Sequence, residues 1–191
     1  ARRSGTIFSE GAAAMLLEDP SSAASPALGV LAGAATNNNA FHMTAPAKDA
    51  DGSRRVMAAA IADAGLTVED IEHICAHATS TSANDVTEAA ALRNLFGAQL
   101  DTMTVAAHKS QLGHLLGAAG LAKAIITLQV MRHGIIPPTI NHEVPDPECR
   151  LDCVPGQARC RSIRCAVTNS AGIGGNNGSV VLKAAPKGEN S

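Results

Sequence analysis

Residues 109–120 read Lys-Ser-Gln-Leu-Gly-His-Leu-Leu-Gly-Ala-Ala-Gly, and residues 77–81 read His-Ala-Thr-Ser-Thr. Each stretch follows a short apolar run and precedes residues with helical spacing, so each is predicted to lie where a strand passes into a helix. Such junctions meet at one edge of a sheet, and we expect His77, Lys109 and His114 to be presented there. Two imidazoles and an ammonium suit a reaction in which negative charge develops on a thioester or a carboxylate.

The flanking sequence alternates between strand-like and helix-like patterns, which is typical of an α/β domain with a layered, mixed sheet. The longest helix is expected to begin near Gly113, which would place His114 at a helix N-terminus, where the helix dipole favours an anion. Asn84 or Asp85 is expected to cap the preceding helix. The predicted strands are 11–18, 27–35, 71–76 and 102–106, the predicted helices are 53–64, 84–96 and 113–132, and a closing hairpin pairs 164–169 with 179–183.

Composition restricts the class of protein. The chain has 191 residues, which predicts a single hydrophobic core. Hydrophobic residues make up 46% of it but only three residues are aromatic, so the core is expected to pack through close approach of small side chains. The net charge is −2 without a long run of either sign, which gives no indication of a nucleic-acid or anionic-membrane partner. No apolar run approaches about 18 residues, so no membrane span is predicted.

The five cysteines favour a reducing compartment, which means the cytoplasm or an organellar matrix (mitochondrion or plastid). Their number is odd and they form no regular CxxC pair, which argues against a disulfide framework. A zinc site is the less favoured alternative, because two of its candidate ligands lie in strand-like runs. Those candidate ligands are Cys149, Cys153, Cys160, Cys165 and His142.

Two further stretches allow more than one interpretation. Residues 169–177 read Asn-Ser-Ala-Gly-Ile-Gly-Gly-Asn-Asn, and successive free N–H groups in such a loop are able to form an oxyanion hole. The alternative is a flexible hairpin turn. Thr79, Ser80 and Thr81 carry hydroxyls that suit a polar chain such as pantetheine, and equally a helix-capping turn. A lone histidine after a strand is more often structural, so the interpretation of His77 depends on the second motif.

Together and in this order, the motifs resemble the C-terminal half of the β-ketoacyl-acyl-carrier-protein synthases, condensing enzymes of the thiolase fold. The resemblance runs over almost the whole chain and implies a thiolase-like, layered α-β-α structure that is mainly the second half of a pseudo-duplicated fold. It implies that residues 1–36 end the N-terminal half, that 37–185 form the C-terminal half and that 186–191 are a tail. The matching stretches are 3–12, 40–46, 77–81 with Asn84, Asp85 and Glu88, 109–120, 137–141 and 169–177.

This resemblance implies a decarboxylative Claisen condensation of malonyl-acyl-carrier-protein with an acyl thioester, in fatty-acid or polyketide chain elongation. His77 and His114 would donate hydrogen bonds to the malonyl thioester oxygen, and Lys109 would set the electrostatics of the histidine pair. The Ile173 N–H would form half of an oxyanion hole, and Ala171 and Ile173 would stand at the gate of the acyl pocket. The residues expected to line the pantetheine channel are Thr44, Thr79 and Thr81.

The same resemblance implies that the substrate arrives on the phosphopantetheine of acyl carrier protein, with no other cofactor and no metal. The family's nucleophilic cysteine lies upstream of every matching stretch, so a further chain or segment is expected to supply it together with the N-terminal half. This chain alone is therefore expected not to form an acyl-enzyme, and to expose apolar surface. A dimer is expected by analogy with the family.

The chain departs from the family at four matched positions. Lys123 stands where a glutamate is usual, close to Lys109, and two ammonium groups about 4 Å apart repel by about 4 kcal/mol at an effective dielectric of about 20. The possible outcomes are that Lys123 points away, that Lys109 loses its charge or that the site is degraded. Ala171 and Ile173 replace two phenylalanines, and Ala78 replaces a glycine. An inactive ketosynthase-like subunit with a structural or chain-length role is therefore the alternative to an active enzyme.

Overall fold

A mixed five-stranded sheet forms the centre of the structure, a computed structural model that describes residues 3–19, 21 and 27–185. In chain order the strands are β1 (Gly29–Asn38), β2 (His73–Cys75), β3 (Thr104–Ala106), β4 (Ile135–Ile136), β5 (Arg159–Cys160), β6 (Cys165–Ala171) and β7 (Asn176–Ala184). The central sheet has the order β1-β7-β6-β2-β3, and β4 pairs with β5 separately. β2 runs parallel to β3 and β6, whereas the β1–β7 and β6–β7 pairs are antiparallel.

Helices cover both faces of this sheet. They are α1 (Asp51–Asp63), α2 (Ser82–Phe96), the single turn α3 (Lys109–Leu112) and α4 (Ala119–His133). Neighbouring residues of β6 and β7 point to opposite faces, as a strand period of two requires. Val167 and Val181 join the core beneath α1 and α2, and Ala166 and Leu182 join the core beneath α4. The layered α-β-α prediction is confirmed.

Small residues allow the layers to approach closely, as the composition predicts. Gly33 of β1 lies directly beneath α1, where an added Cβ atom would stand 2.5 Å from the Ala60 carbonyl oxygen. A side chain there would force the helix away from the sheet. The helix and the strand are in contact because this position has no side chain.

Most predicted elements are present, with boundaries displaced by a few residues. The helix predicted over 53–64 and the closing hairpin are confirmed as α1 and the β6–β7 pair. The buried strand predicted over 11–18 is wrong, since residues 11–19 have no regular secondary structure and Leu16 is 81% exposed. A strand needs a hydrogen-bonding neighbour, and the described part of the chain offers this segment none.

Two domain boundaries are implied by the resemblance, one between residues 36 and 37 and one between 185 and 186. The boundary between residues 36 and 37 falls inside β1, which pairs along its length with β7. The implied tail, 186–191, lies outside the described residues.

Apolar side chains are exposed around the N-terminal segment and the loop after β1. The large exposed apolar residues of these two segments are Ile7, Phe8, Leu16, Leu17, Phe41 and Met43. No helix within the described ranges is long and apolar enough to cross a bilayer.

Candidate active site

Three parallel strands end at the same edge of the sheet and carry the candidate site. Because β2 is parallel to both β3 and β6, the chain segments that follow Cys75, Ala106 and Ala171 emerge side by side. The Ala76 amide donates to the Ala106 carbonyl at 3.0 Å, which keeps two of these segments together beyond the strand ends. Both histidine motifs therefore lie at one sheet edge, as their sequence pattern predicts.

The imidazoles of His77 and His114 are in contact. Their ring centroids are 5.6 Å apart and the rings meet edge to face, at 86°. His77 is buried and His114 is partly exposed. The Leu116 amide donates to His114 Nδ1 at 3.0 Å, so a neutral His114 carries its proton on Nε2. The pair can therefore present a ring N–H to an oxygen bound at this edge.

Both rings are held in the neutral form. Burial lowers the pKa of His77 to about 2, with further lowering from the positive charges of Lys109, Lys123 and His114. Burial also lowers the pKa of His114, and Lys109 and Lys123 lower it further. Near pH 7 each imidazole is therefore uncharged. A neutral imidazole donates its ring N–H in a hydrogen bond but has no imidazolium proton to transfer as a general acid.

Lys109 lies against the first histidine motif. Its Nζ donates to the His77 carbonyl at 2.5 Å, so the lysine fixes the peptide that carries the imidazole. Burial lowers the pKa of Lys109 to about 8, the charge of Lys123 lowers it further, and the Glu88 carboxylate opposes the change. Lys109 thus keeps a positive charge at neutral pH with less margin than an exposed lysine.

Glu88 of α2 organises the turn after His77. Its two carboxylate oxygens accept the amides of His77 and Ala78, each at 2.8 Å, and Oε1 also accepts the Asn169 side-chain amide at 2.9 Å. The side chain is buried, with 5% of the residue exposed. Sequence reasoning included Glu88 only as a matched position and gave it no role. Its signal is a carboxylate followed by a run of alanine and leucine that becomes the core face of α2.

His114 is positioned by the N-terminal segment and not by a helix dipole, which corrects the prediction from the sequence. The long helix α4 begins at Ala119, five residues later than His114, after a separate 3-10 turn at Leu116–Ala118. The His114 amide donates to the Ile7 carbonyl at 2.7 Å, and the Ser9 amide donates to the His114 carbonyl at 3.1 Å. The tertiary contact with the segment around Phe8 therefore replaces the expected helix start.

Phe8 is a site residue that the sequence reasoning missed. Its ring centroid lies 6.0 Å from that of His114, so the His114 imidazole contacts both Phe8 and His77. Gly113 makes this approach possible, since a Cβ atom there would lie 2.8 Å from the Ser9 side chain and its φ of +73° favours glycine. No local sequence pattern connects two segments so far apart in the chain.

The three candidate pantetheine threonines occupy different environments. Thr81 caps α2 by accepting the Asn84 amide at 3.3 Å, so a capping turn is present and the predicted caps Asn84 and Asp85 are wrong. Thr79 is buried and its hydroxyl lies 3.0 Å from that of Thr81. Thr44 is exposed, and its amide donates to His42 Nδ1 at 3.1 Å.

The glycine-rich loop between β6 and β7 is more ordered than a free turn. The Gly172 amide donates to the Asn176 carbonyl and the Gly174 amide donates to the Met43 carbonyl, each at 2.7 Å. The expectation of successive free N–H groups is therefore wrong at these two positions. Ile173 stands between them with 80% of its surface exposed, and Ala171 is the last residue of β6. The loop also contacts the segment that carries Thr44.

Lys123 binds the end of β6. Its Nζ donates to the Asn169 carbonyl and to the Ser170 hydroxyl, the latter at 3.4 Å. Burial lowers the pKa of Lys109 and the charge of Lys123 lowers it further, so the two ammonium groups still interact, and the three outcomes considered for this substitution stay predictions.

The cysteines do not come together as a metal centre. Within residues 3–19, 21 and 27–185, no group of three or more histidine, cysteine, aspartate or glutamate side chains is placed to hold a metal ion. Cys160 is exposed on β5 and Cys165 is buried on β6, so the zinc alternative has no geometric basis.

Known sequences resemble this chain over nearly its whole length. Residues 28–143 match the family model described as the C-terminal domain of beta-ketoacyl synthase. A 3-oxoacyl-[acyl-carrier-protein] synthase 2 from Synechocystis sp. is 41% identical over 184 residues, which cover 95% of this chain and 44% of that protein. A protein of the same name from Staphylococcus aureus is 40% identical over 184 residues, with 95% and 46% covered.

Solved structures give the same result. A ketosynthase complex, titled as a type II PKS acyl-carrier protein with its ketosynthase bound to the hexaketide, superposes with a TM-score of 0.81 at 32% identity, covering 83% of this chain and 39% of that chain. The ishigamide ketosynthase/chain length factor superposes with a TM-score of 0.79 at 40% identity, covering 83% and 38%. A beta-ketoacyl synthase from Burkholderia phymatum gives 0.78 at 33% identity, with 83% and 38% covered.

The chain thus spans less than half the length of the curated relatives that it matches. What it does match is one continuous region of the thiolase-like fold, including both histidine motifs. The family model, the sequence identity and the superposed structures agree, and the chain belongs to the β-ketoacyl synthase family, of which it represents the C-terminal half.

Proposed function

We propose that this chain provides the decarboxylation half of a 3-oxoacyl-acyl-carrier-protein synthase, which elongates an acyl thioester with malonyl-acyl-carrier-protein. The observation that carries the proposal is the contact between two neutral imidazoles, His77 and His114, with Lys109 bound to the His77 peptide at the same sheet edge. Two relatives at 41% and 40% identity bear the name of this activity.

The proposed chemistry needs fixed hydrogen-bond donors for a developing enolate. The malonyl thioester oxygen accepts ring N–H bonds from His77 and His114 while the carboxylate leaves as carbon dioxide and its bonding electrons form the enolate. The enolate carbon then attacks the acyl thioester carbon, a carbon–carbon bond forms, and the cysteine sulfur leaves as a thiolate. Each well-placed donor is worth about 3 kcal/mol in such a transition state.

The Ile173 amide is the proposed donor for the second oxyanion, at the acyl thioester. Ala171 and Ile173 are proposed to stand at the acyl-pocket gate, where they form a smaller barrier than the family's phenylalanines. Thr44, Thr79 and Thr81 are proposed to meet the phosphopantetheine arm, although Thr81 already caps α2. The arm belongs to acyl carrier protein, and the proposal includes no other cofactor.

Two kinds of partner follow from the proposal. One is acyl carrier protein, and a ketosynthase bound to its acyl-carrier protein is among the structures similar to this chain. The other is a chain or segment that supplies the N-terminal half with its nucleophilic cysteine, and the exposed apolar side chains of residues 7–17 support this. We also propose a dimer, in the cytoplasm or an organellar matrix, where unpaired cysteines persist.

A catalytically inactive subunit with a structural or chain-length role is the second candidate. The observations that favour it are the family departures at Lys123, Ala171 and Ile173, and the similarity to a ketosynthase/chain length factor. The two candidates differ in whether His77 and His114 act on malonyl thioester.

The test measures carbon dioxide released from malonyl-acyl-carrier-protein by this chain assembled with the segment that provides the N-terminal half. We compare the wild type with His114→Ala and with Lys183→Met, a control on β7 at the opposite end of the sheet. We expect release by the wild type and by the Lys183 variant, and a loss of about 100-fold in His114→Ala. Wild-type release no greater than that of His114→Ala, in an intact assembly, would favour the inactive subunit.

A further inference from the structure

Lys123 is a buried cationic residue to which the proposed chemistry gives no task. It lies in α4 with only 4% of its surface exposed. Its Nζ donates to the Asn169 carbonyl and to the Ser170 hydroxyl. Burying an ammonium is costly unless oxygen atoms hold it. Here those oxygens belong to the last residues of β6, so the side chain ties the helix to that strand end.

Asn169 connects this contact to the first histidine motif. Its carbonyl accepts from Lys123, and its side-chain amide donates to Glu88 at 2.9 Å. Glu88 in turn accepts the amides of His77 and Ala78. A continuous set of buried hydrogen bonds therefore runs from α4, through the end of β6, to the peptide that carries the His77 imidazole.

The residues that Lys123 holds also lead into the glycine-rich loop. Asn169 and Ser170 precede Ala171, where β6 ends, and the loop that follows keeps its own bonds through the Gly172 and Gly174 amides. Any movement of the strand end relative to α4 would carry this loop with it. Lys123 is thus placed to set the distance between the loop and the histidine pair.

We propose that Lys123 is a positioning residue of this site: its ammonium binds the Asn169 carbonyl and the Ser170 hydroxyl, and so holds the end of β6 and the glycine-rich loop in register with His77 and His114. This positioning role rests on the structure alone. Its consequence for catalysis rests on the proposed function.

The charge of Lys123 gives this proposal a signature that packing alone does not have. The titratable groups that face His114 are His77, Lys109 and Lys123. Burial lowers the pKa of Lys123 itself, and the charges of Cys75 and Glu88 oppose this change. Removing the Lys123 charge removes one of the causes that lower the pKa of His114, so that pKa should rise.

The experiment uses Lys123→Met, which keeps an unbranched side chain of similar length and removes its charge and its hydrogen-bond donors. Lys123→Arg is the conservative variant and Lys183→Met is the matched control. In the assembly with its N-terminal half, we measure amide hydrogen exchange at Gly172 and Gly174 and the His114 pKa by NMR with ring-labelled histidine. Relative to the wild type, and in Lys123→Met only, we expect amide exchange at Gly172 and Gly174 to accelerate about tenfold more than exchange in the middle of β6, and we expect a higher His114 pKa. Lys123→Arg should stay closer to the wild type in both readouts.

A folded Lys123→Met assembly with wild-type exchange at both glycines, or with an unchanged His114 pKa, overturns the proposal, as does a Lys123→Arg variant no better than Lys123→Met. If Lys123→Met does not fold, Lys123→Leu, which also lacks the charge and the donors, takes its place with the same expected results and the same refuting ones. Neither readout requires turnover. A wild type that releases no carbon dioxide therefore counts against the proposed function and leaves this proposal to be judged by exchange and titration.

Discussion

Ala78 shows how the site constrains a single residue. Its φ is +42°, in the left-handed region that L-residues other than asparagine and aspartate seldom occupy. The amide of Ala78 donates to Glu88 at 2.8 Å, so the turn after His77 is held in this conformation by the buried carboxylate. The strained turn lets the amides of His77 and Ala78 bind the same carboxylate.

The first prediction is that Ala78→Gly makes the chain slightly more stable. Relief of left-handed strain is worth about 1 kcal/mol or more, and it exceeds the entropy that glycine adds to the unfolded chain, for a net gain of roughly 0.5 kcal/mol. Urea unfolding measures the change. The matched control is Ala59→Gly, at an exposed position of α1, where the same substitution should cost about 1 kcal/mol. Equal destabilisation by both variants would contradict the strain at Ala78.

At the scale of elements, a short non-helical segment orients His114, whereas the sequence pattern predicts that the start of a helix does so. Residues 7–9 bind the His114 backbone on both sides, and Phe8 contacts its ring. The single turn α3 ends at Gly113, which turns the chain so that His114 meets this segment. His114 is therefore oriented by a contact between separate elements.

The second prediction concerns Gly113→Ala, which should weaken that contact. The added Cβ atom would stand 2.8 Å from the Ser9 side chain and would also suffer the positive φ. Gly65→Ala is the matched control, because Gly65 has a φ of +65° with open space around it. We expect Gly113→Ala to cost about 1 to 3 kcal/mol more than Gly65→Ala in urea unfolding, and to change the NMR shifts of the His114 ring. Equal costs together with an unchanged His114 ring would show that residues 7–9 do not position it.

At the scale of the whole molecule, two buried histidines make stability depend on pH. Burial lowers the pKa of His73 to about 3, with the charges of His108 and Arg161 lowering it further. The pKa of His77 is lowered to about 2. An unfolded histidine titrates at about 6.5. Below that pH the unfolded chain binds protons at these histidines and the folded chain does not. The free energy of unfolding is therefore highest above about pH 6.5 and decreases as the pH falls.

The third prediction is a loss of about 1.4 kcal/mol per pH unit for each of these histidines below about pH 6.5. Urea unfolding at pH 7 and pH 5 measures it, and His73→Gln isolates one of the two protons. The decrease from pH 7 to pH 5 should be about 2 kcal/mol smaller in His73→Gln than in the wild type. His133→Gln, at an exposed position of α4, should leave the decrease unchanged. A His73 variant with the wild-type decrease would mean that this ring accepts a proton in the folded state.

What the sequence determined by itself was local. The alternation of apolar residues predicted α1, the β6–β7 hairpin and the strands that lead to His77 and Lys109, because neighbours along the chain decide a helix or strand period. The order of motifs also indicated the family. At Thr81 the local pattern allowed both a capping turn and a channel and did not distinguish them, and at His114 it predicted a helix start that the structure does not have.

Tertiary structure alone decided the contacts that give the site its shape. In sequence, Glu88 is 81 residues from Asn169 and Lys123 is 46 residues from it, and the segment 7–9 that binds His114 lies near the other end of the sequence. No period or spacing in the chain encodes such distances, because they depend on which layers pack together and how closely. The same packing directs Lys123 towards β6 and excludes the water that would otherwise keep His77 at an ordinary pKa.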